Sequence, residues 1–365
     1  MDRQSYKLLH ETFVSNHKGT TLAEVTIVSL VCPLSVFILI KLGRLIGRPA
    51  NFATEFIILA GPLLMIFTQD FIAYAIILAF AAFALVLARV SSSSDVSSVK
   101  YEERHLAFLT NYRASMLLVT AICILGVDFQ AYPRRFAKTE ELGFGLMDIG
   151  VGSFIFSAGI VAPIGSSKLM HNVGKSIPLF VLGALKYCSV KMLDYHEHVS
   201  EYGMHWNFFI TMGFVQLVCG FVTCKFDKKY AMLIAMVIAC LHEYLLVTKN
   251  YQWIFTLTKA QRTEAGLLVA NAEGVVSLAG FSALFLMGAY LKSTIYSLLR
   301  AKENLVKASL GLVLLWSVFV ILTNEAILVP PSRRLCNLSY VIWMVAYNMM
   351  LILSYASIQF SAGNA

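Results

Sequence analysis

Charge is what this sequence has least of. Only 14% of its 365 residues are Asp, Glu, Lys or Arg, against 58% that are apolar, and mean hydropathy is +0.72. A soluble domain carries roughly 25% charged residues, so this chain has too little polar surface to cover a globule in water. A soluble catalyst is excluded. None of the seven cysteines is spaced Cys-x-x-Cys, so neither a zinc ribbon nor a disulfide framework is indicated. Cys32, Cys123, Cys188, Cys219, Cys224, Cys240 and Cys336 fall mostly in apolar blocks and read as small packing residues. A Walker loop, a Gly-x-Ser-x-Gly elbow and a Gly-x-Gly-x-x-Gly turn are missing too, as is any His-x-x-x-His pair. No metal site and no bound cofactor are expected.

What is present is apolar sequence in blocks close to the ~20 residues that cross a bilayer core. Eleven blocks lie near 23–42, 54–68, 71–90, 114–130, 146–164, 177–190, 206–224, 230–247, 274–292, 306–324 and 338–358. The expectation is an all-α, polytopic integral membrane protein of about eleven transmembrane helices, forming one domain over 1–365. Blocks 54–68 and 177–190 are short, so each is tilted, interfacial or broken. The segment 1–22 is polar and lacks the order of a cleavable signal, which makes the first block an uncleaved signal and first span. The stretch 91–104 opens as SSSSDVSSV and reads as a flexible cytosolic tether.

Net charge is +8, but the basic residues are scattered through short loops without interleaved aromatics. They read as membrane-flanking charge, with no nucleic-acid partner. Counted on alternate loops, with the N-terminus on the non-cytosolic side, sixteen of the 29 Lys and Arg fall in the cytosol and thirteen opposite. Five of those thirteen sit in two clusters, Arg134/Arg135/Lys138 and Arg333/Arg334, suited to chemistry rather than topology. Setting them aside leaves a clear bias and an expected lumenal N-terminus.

Two polar stretches carry the candidate chemistry. Val127-Asp128-Phe129-Gln130-Ala131-Tyr132-Pro133-Arg134-Arg135-Phe136-Ala137-Lys138-Thr139-Glu140 follows an apolar block directly. A carboxylate at that boundary, Asp128, can act as general base towards a sugar or cyclitol hydroxyl. Arg134, Arg135 and Lys138 can bind phosphate, or stabilise the oxyanion of an acyl transfer. The alternative is an interfacial salt-bridge cluster that holds the loop at the headgroups. The second stretch, Asp194 to Asn207, holds His196, His198 and His205. Its spacing favours a polar pocket wall for a glycan headgroup, or a loop anchored by Tyr195, Tyr202 and Trp206, over a metal site. His242-Glu243 and Asn324-Glu325 sit near block ends, where neighbouring helices can satisfy them. Asp148, in Leu146-Met147-Asp148-Ile149-Gly150-Val151-Gly152-Ser153, is placed deeper, among glycines that permit close helix packing. It is either functional or a packed, hydrogen-bonded carboxyl.

At these stretches the sequence resembles the inositol acyltransferases of GPI-anchor synthesis, phosphatidylinositol-glycan class W and its fungal counterparts. The resemblance is carried by Phe13-Val14-Ser15-Asn16 with Gly19-Thr20-Thr21, by Tyr112-Arg113 leading to Val127-Asp128-Phe129 and Pro133-Arg134-Arg135-Phe136-Ala137-Lys138-Thr139-Glu140, and by the Leu146–Ser153 stretch. It continues through Asp194-Tyr195, Glu197-His198-Val199, Glu201-Tyr202-Gly203, His205-Trp206-Asn207-Phe208-Phe209, Pro331-Ser332-Arg333-Arg334-Leu335 and Asn348. It implies an endoplasmic-reticulum enzyme that transfers a fatty acyl group from acyl-CoA, its co-substrate, to the inositol ring of glucosaminyl-phosphatidylinositol. Asp128 and Lys138 fall on the family's catalytic pair. Asn16, Thr20, Asp148, His198, His205, Asn207, Arg333 and Arg334 become candidate substrate-binding residues beside Arg134 and Arg135. The resemblance also implies lumen-facing essential regions and about thirteen spans, so a chain ending at Ser361-Ala362-Gly363-Asn364-Ala365 reads as a C-terminally shortened form. The competing functional classes are a transporter or flippase for a lipid intermediate and a non-catalytic assembly subunit.

Overall fold

The computed structural model describes residues 17–47, 51–69, 73–90, 106–162, 169–193, 201–226, 228–324 and 327–363. Each expected apolar block is helical over most of its described residues. In chain order the helices are α1 (Leu22–Ser29), α2 (Val31–Ile46), α3 (Phe52–Leu59), α4 (Gly61–Thr68), α5 (Ala73–Val90), α6 (Ala107–Gly126), α7 (Asp148–Val161), α8 (Leu169–Met192), α9 (Phe208–Lys225) and α10 (Lys228–Thr248). Three short helices follow, α11 (Gln252–Thr256), α12 (Lys259–Glu264) and α13 (Leu267–Ala270), then α14 (Ala272–Ser297), α15 (Lys302–Asn324) and α16 (Leu338–Gly363). Among the described residues β structure is confined to a single bridge, Thr20 to Phe144. The chain is an all-α polytopic membrane protein. Among the described residues, seven segments are long and apolar enough to cross a membrane by themselves: α1–α2 as one unit, α6, α9, the Tyr230–Thr248 part of α10, α14, α15 and the Leu338–Ser361 part of α16.

The remaining blocks depart from full spans for physical reasons. Block 54–68 is split at Ala60, because Pro62 lacks the N–H that a continuous helix would need there. The block expected at 177–190 grows into the 24 residues of α8 with Pro178 inside it. Helix α7 has 14 residues, about 21 Å at 1.5 Å per residue, too short for a ~30 Å hydrocarbon core. It is held inside the bundle instead, with Asp148 at its N-terminal turn. Helix α6 begins seven residues before the expected start, at Ala107, because Phe108, Leu109 and Tyr112 form a buried face and the Phe108 N–H reaches the Gln359 side chain at 2.6 Å. It ends at Gly126, so Asp128 stands in the turn beyond it.

Helices α14 and α16 form the core. Trp343, Tyr340, Tyr355, Phe281 and Phe285 are fully buried there, whereas α15 buries only Leu305 and Phe319 and turns Leu310, Val313, Leu314 and Ile321 outward to lipid. Helices α7 and α14 meet through two reciprocal glycines. A Cβ on Gly159 would stand 2.1 Å from the Phe285 carbonyl oxygen, and one on Gly288 would stand 2.5 Å from that of Phe156. Only residues without a side chain admit that approach, the small-residue packing expected of helices in lipid.

The loops between helices gather at one end of the bundle. Backbone bonds join Thr20 to Phe144, Glu140 to His17, Gly143 to Pro331, Met204 to Ala270 and Gly274 to Tyr202. Lys18, Arg135, Lys138, Arg262, Arg333 and Arg334, all assigned by sequence to one face of the membrane, therefore share one end.

Candidate active site

The loop after α6 is folded by its own arginine. The Arg134 guanidinium donates from Nε to the Tyr132 carbonyl at 3.0 Å, from Nη1 to Val127 at 2.8 Å and from Nη2 to Phe129 at 2.7 Å. A phosphate grip was expected of Arg134; the structure turns its fork onto the backbone instead, where it gathers the Val127 carbonyl at the helix end and the Phe129 and Tyr132 carbonyls of the loop beyond. The turn so pinned carries Asp128, which is exposed and acts electrostatically on Arg134. Arg135 pairs with Glu24 at 2.9 Å, and Glu24 in turn takes a hydrogen bond from Thr20. Tyr132 and Phe136 pack on Phe67, which seats the loop in the apolar core.

Lys138 then emerges from the anchored loop. Its Nζ lies 2.7 Å from Glu201 Oε1, and the same oxygen takes Arg333 Nη1 at 3.3 Å. Arg333 donates from Nε to Asp148 Oδ1 at 2.9 Å, and Asp148 also accepts from the Thr139 hydroxyl at 2.8 Å and from the Thr139 N–H. The chain Lys138–Glu201–Arg333–Asp148–Thr139 thus links residues up to 195 positions apart into one network. Burial pushes the Glu201 carboxyl up, but Lys138 and Arg333 outweigh it and hold it at about 2. Burial pushes Arg333 down, and Glu201 and Asp148 more than reverse this, so Arg333 stays a cation.

A second buried cluster braces the first. Glu273 accepts from Arg262 Nη1 and from Arg334 Nη2, each at 2.8 Å, and Arg334 Nη1 donates to the Glu140 carbonyl at 2.6 Å. On α10, His242 Nε2 lies 2.9 Å from the Leu335 carbonyl, and Glu243 accepts the Leu338 N–H at 2.9 Å. The His-Glu pair therefore clamps the arginine loop and the start of α16, the structural reading of an ionisable pair near a span end.

Beside this network lies a cavity of about 430 Å³. Its mouth is lined by Lys138, Lys186, Glu201 and Tyr202, and its walls by apolar and small residues of α6 and α7 such as Val119, Cys123, Ile149 and Phe154. It reaches Tyr112, Tyr347 and Leu351 at its far end.

The expected residues are thus partly gathered. Lys138 lines the cavity, while Asp148 and Arg333 stand behind its mouth and Arg334 holds the loop alongside. Asp128 sits on the exposed turn and is not among the residues lining this cavity. Asn207 is buried and caps α9, accepting the N–H groups of Phe209 and Ile210 and donating to the Gly183 carbonyl at 2.9 Å, so helix geometry accounts for its position. His205 is exposed, with its backbone N–H on Asn271 Oδ1 at 2.8 Å. Thr20 serves Glu24. Asn16 and His198 lie outside the described residues. Sequence reading missed Glu201 as the hub, although it stands in the quoted Glu201-Tyr202-Gly203 motif. It also missed Lys186, Glu273 and Arg262, for which no local pattern exists, since the ion-pair partners Glu273 and Arg334 are 61 positions apart.

The motif resemblance is borne out by comparison with known proteins. A family model named GWT1 matches residues 6–364. The GPI-anchored wall transfer protein 1 of Gibberella zeae is 34% identical over 424 aligned residues, which cover 98% of this chain and 81% of that protein. Its namesake from Candida albicans is 33% identical over 418, covering 99% and 85%. That of Saccharomyces cerevisiae is 32% identical over 417, covering 97% and 84%. With a family match along almost the whole chain and relatives one-third identical across it, this chain belongs to the GWT1 family.

Proposed function

We propose that the protein acts in GPI-anchor biosynthesis as an acyl-CoA-dependent O-acyltransferase, acylating the inositol ring of glucosaminyl-phosphatidylinositol. The relatives' names concern GPI-anchored wall proteins, which supports the pathway. The inositol acylation comes from the motif resemblance. The observation that carries the chemistry is an apolar cavity ending at a fixed lysine.

The acyl chain of acyl-CoA lies along the cavity walls, which brings its thioester to the mouth beside Lys138. An ammonium has three donors; one is committed to Glu201, and that bond fixes the direction of the others. Lys138 then donates to the thioester carbonyl and to the oxyanion that forms there. The hydrophilic acceptor arrives from the loop side, where Asp128 stands on its pinned turn. Asp128 takes the proton of the inositol hydroxyl as the new C–O bond forms. The C–S bond breaks, and the proton passes from Asp128 to the departing CoA thiolate. Arg135 and Lys186 offer charge to phosphates on this face. The reading requires a multi-pass protein of the endoplasmic reticulum membrane, and the loop charges fit a lumenal N-terminus.

Purified protein given labelled acyl-CoA and glucosaminyl-phosphatidylinositol should form an acylated lipid; a flippase or a non-catalytic subunit forms none. Asp128→Ala and Lys138→Ala should each slow product formation by roughly 10²-fold or more. Near-normal turnover in either variant removes that residue from the chemistry.

A further inference from the structure

The two ends of the cavity differ in kind. At the mouth, Lys138 keeps 40% of its side chain exposed and Glu201 24%. At the far end, Tyr112 is 1% exposed and Tyr347 3%. Between Ile124 and Tyr112 the cavity follows α6 for twelve residues, a depth of about 18 Å. Half of a ~30 Å hydrocarbon core is the reach of one lipid acyl chain, so the cavity has the length for a single chain, with Tyr112 as its last lining residue along α6.

What stops it is braced. Tyr112 Oη donates to Asn348 Oδ1 at 2.6 Å, and Asn348 Nδ2 donates to the Met344 carbonyl at 2.6 Å. One turn along α6, Ser115 Oγ and Tyr355 Oη are 2.5 Å apart. Tyr112 therefore cannot swing aside without breaking a buried hydrogen bond, and Tyr355 is tied in the same way. A purely aliphatic floor would repack around one more methylene; this one is fixed by direction as well as by volume.

We propose that the braced end of the cavity, Tyr112 held by Asn348 with Tyr347 beside it, sets the acyl-chain length the enzyme accepts. The proposal rests on the acyltransferase reading above and adds its specificity determinant. A chain that ends short of Tyr112 forgoes apolar burial, and each methylene so lost lowers kcat/KM about fourfold. A chain too long drives its thioester out of reach of Lys138.

The test is a series of straight-chain saturated acyl-CoAs from laurate to arachidate, in two-carbon steps, assayed as donors with the purified full chain. Tyr112→Leu opens the floor and should move the optimum up by at least one step, raising the longer donor about fifteenfold relative to the wild-type optimum. Met116→Trp, on the cavity wall one turn nearer the mouth, should move it down by one to two steps. It carries the test alone if Tyr112→Leu does not fold. Tyr112→Phe keeps the ring but frees it from Asn348, so it should raise the longer donor by less than Tyr112→Leu does while the optimum stays in place. If folded variants transfer acyl groups with the wild-type chain-length profile, the floor is not the determinant and the proposal falls, while the acyltransferase reading stands. If the wild type transfers no acyl group from any donor, it is the acyltransferase reading that fails.

Discussion

Arg333 offers the most demanding test of the buried network. It is 4% exposed and stands between Asp148, 1% exposed, and Glu201. Arg333→Met removes the cation and leaves the Asp148 carboxylate buried with only Thr139 to solvate it. Breaking one side of a buried pair costs about 3–5 kcal/mol, because the surviving charge is uncompensated. Asp148→Asn should cost less, since Arg333 still has Glu201 at 3.3 Å. In the double variant both members of the pair are gone, and much of the Arg333→Met loss should return. The coupling should then be a few kcal/mol and favourable to the double variant. Unfolding of a membrane protein in detergent is often irreversible, so the measurement is the midpoint of thermal aggregation at one fixed scan rate for all four proteins. Arg333→Met should lower it by on the order of 5–10 °C, and adding Asp148→Asn should recover at least half of that. Strict additivity of the two single changes would refute the pairing as the source of stability.

Four further outcomes follow from the same geometry. Glu201 is held at about 2 against an ordinary value of 4.5, so the stability it lends is complete above pH 4.5 and fades only as pH falls from there towards 2; a pH–rate profile between 5 and 8 should show no limb due to it, and a limb abolished by Glu201→Gln would contradict this. Glu201→Gln should still slow acyl transfer by roughly tenfold at every pH in that window, because Lys138 loses its ionic anchor. Arg134→Lys cannot serve the Tyr132, Val127 and Phe129 carbonyls together, so it should lower kcat with little change in KM for acyl-CoA; an unchanged kcat would show that the turn holds Asp128 without its fork. Gly159→Val would force the α7–α14 crossing apart, since its Cβ would stand 2.1 Å from the Phe285 oxygen; folded protein recovered from membranes should fall several-fold, and normal recovery would show that the crossing can yield.

Periodicity made the helices legible, and composition made the lipid around them legible. The buried face of α6 was not legible: Thr110, Asn111 and Arg113 look like a loop, and only α16 lying opposite turns Phe108, Leu109 and Tyr112 into a core stripe. Pro62 could have warned of the break at Ala60, and the shortness of block 54–68 did. In the site, motif resemblance placed Asp128, Lys138, Asp148, Arg333 and Arg334 on one list, and the structure ties four of them into ion pairs at one end of the bundle. It could not say that Arg134 folds a turn rather than gripping phosphate, because that depends on how the loop after α6 aims its carbonyls at the guanidinium.

The same limit explains why Glu201 and Glu273 escaped notice. A carboxylate in a loop reads as solvated until cations from distant loops close over it, and here Lys138 and Arg333 reach Glu201 from 63 and 132 positions away. Such pairs contribute little as sequence signals and much as geometry. They fix the charged wall of an otherwise greasy cavity, so that a lysine's donors point where an acyl carbonyl would rest. The apolar walls and floor choose a lipid chain by burial, and the network decides where its thioester must sit. Separating the two jobs lets the walls vary with the preferred chain while the charged mouth stays as it is, which is why the floor at Tyr112 and the anchor at Glu201 should respond to mutation independently.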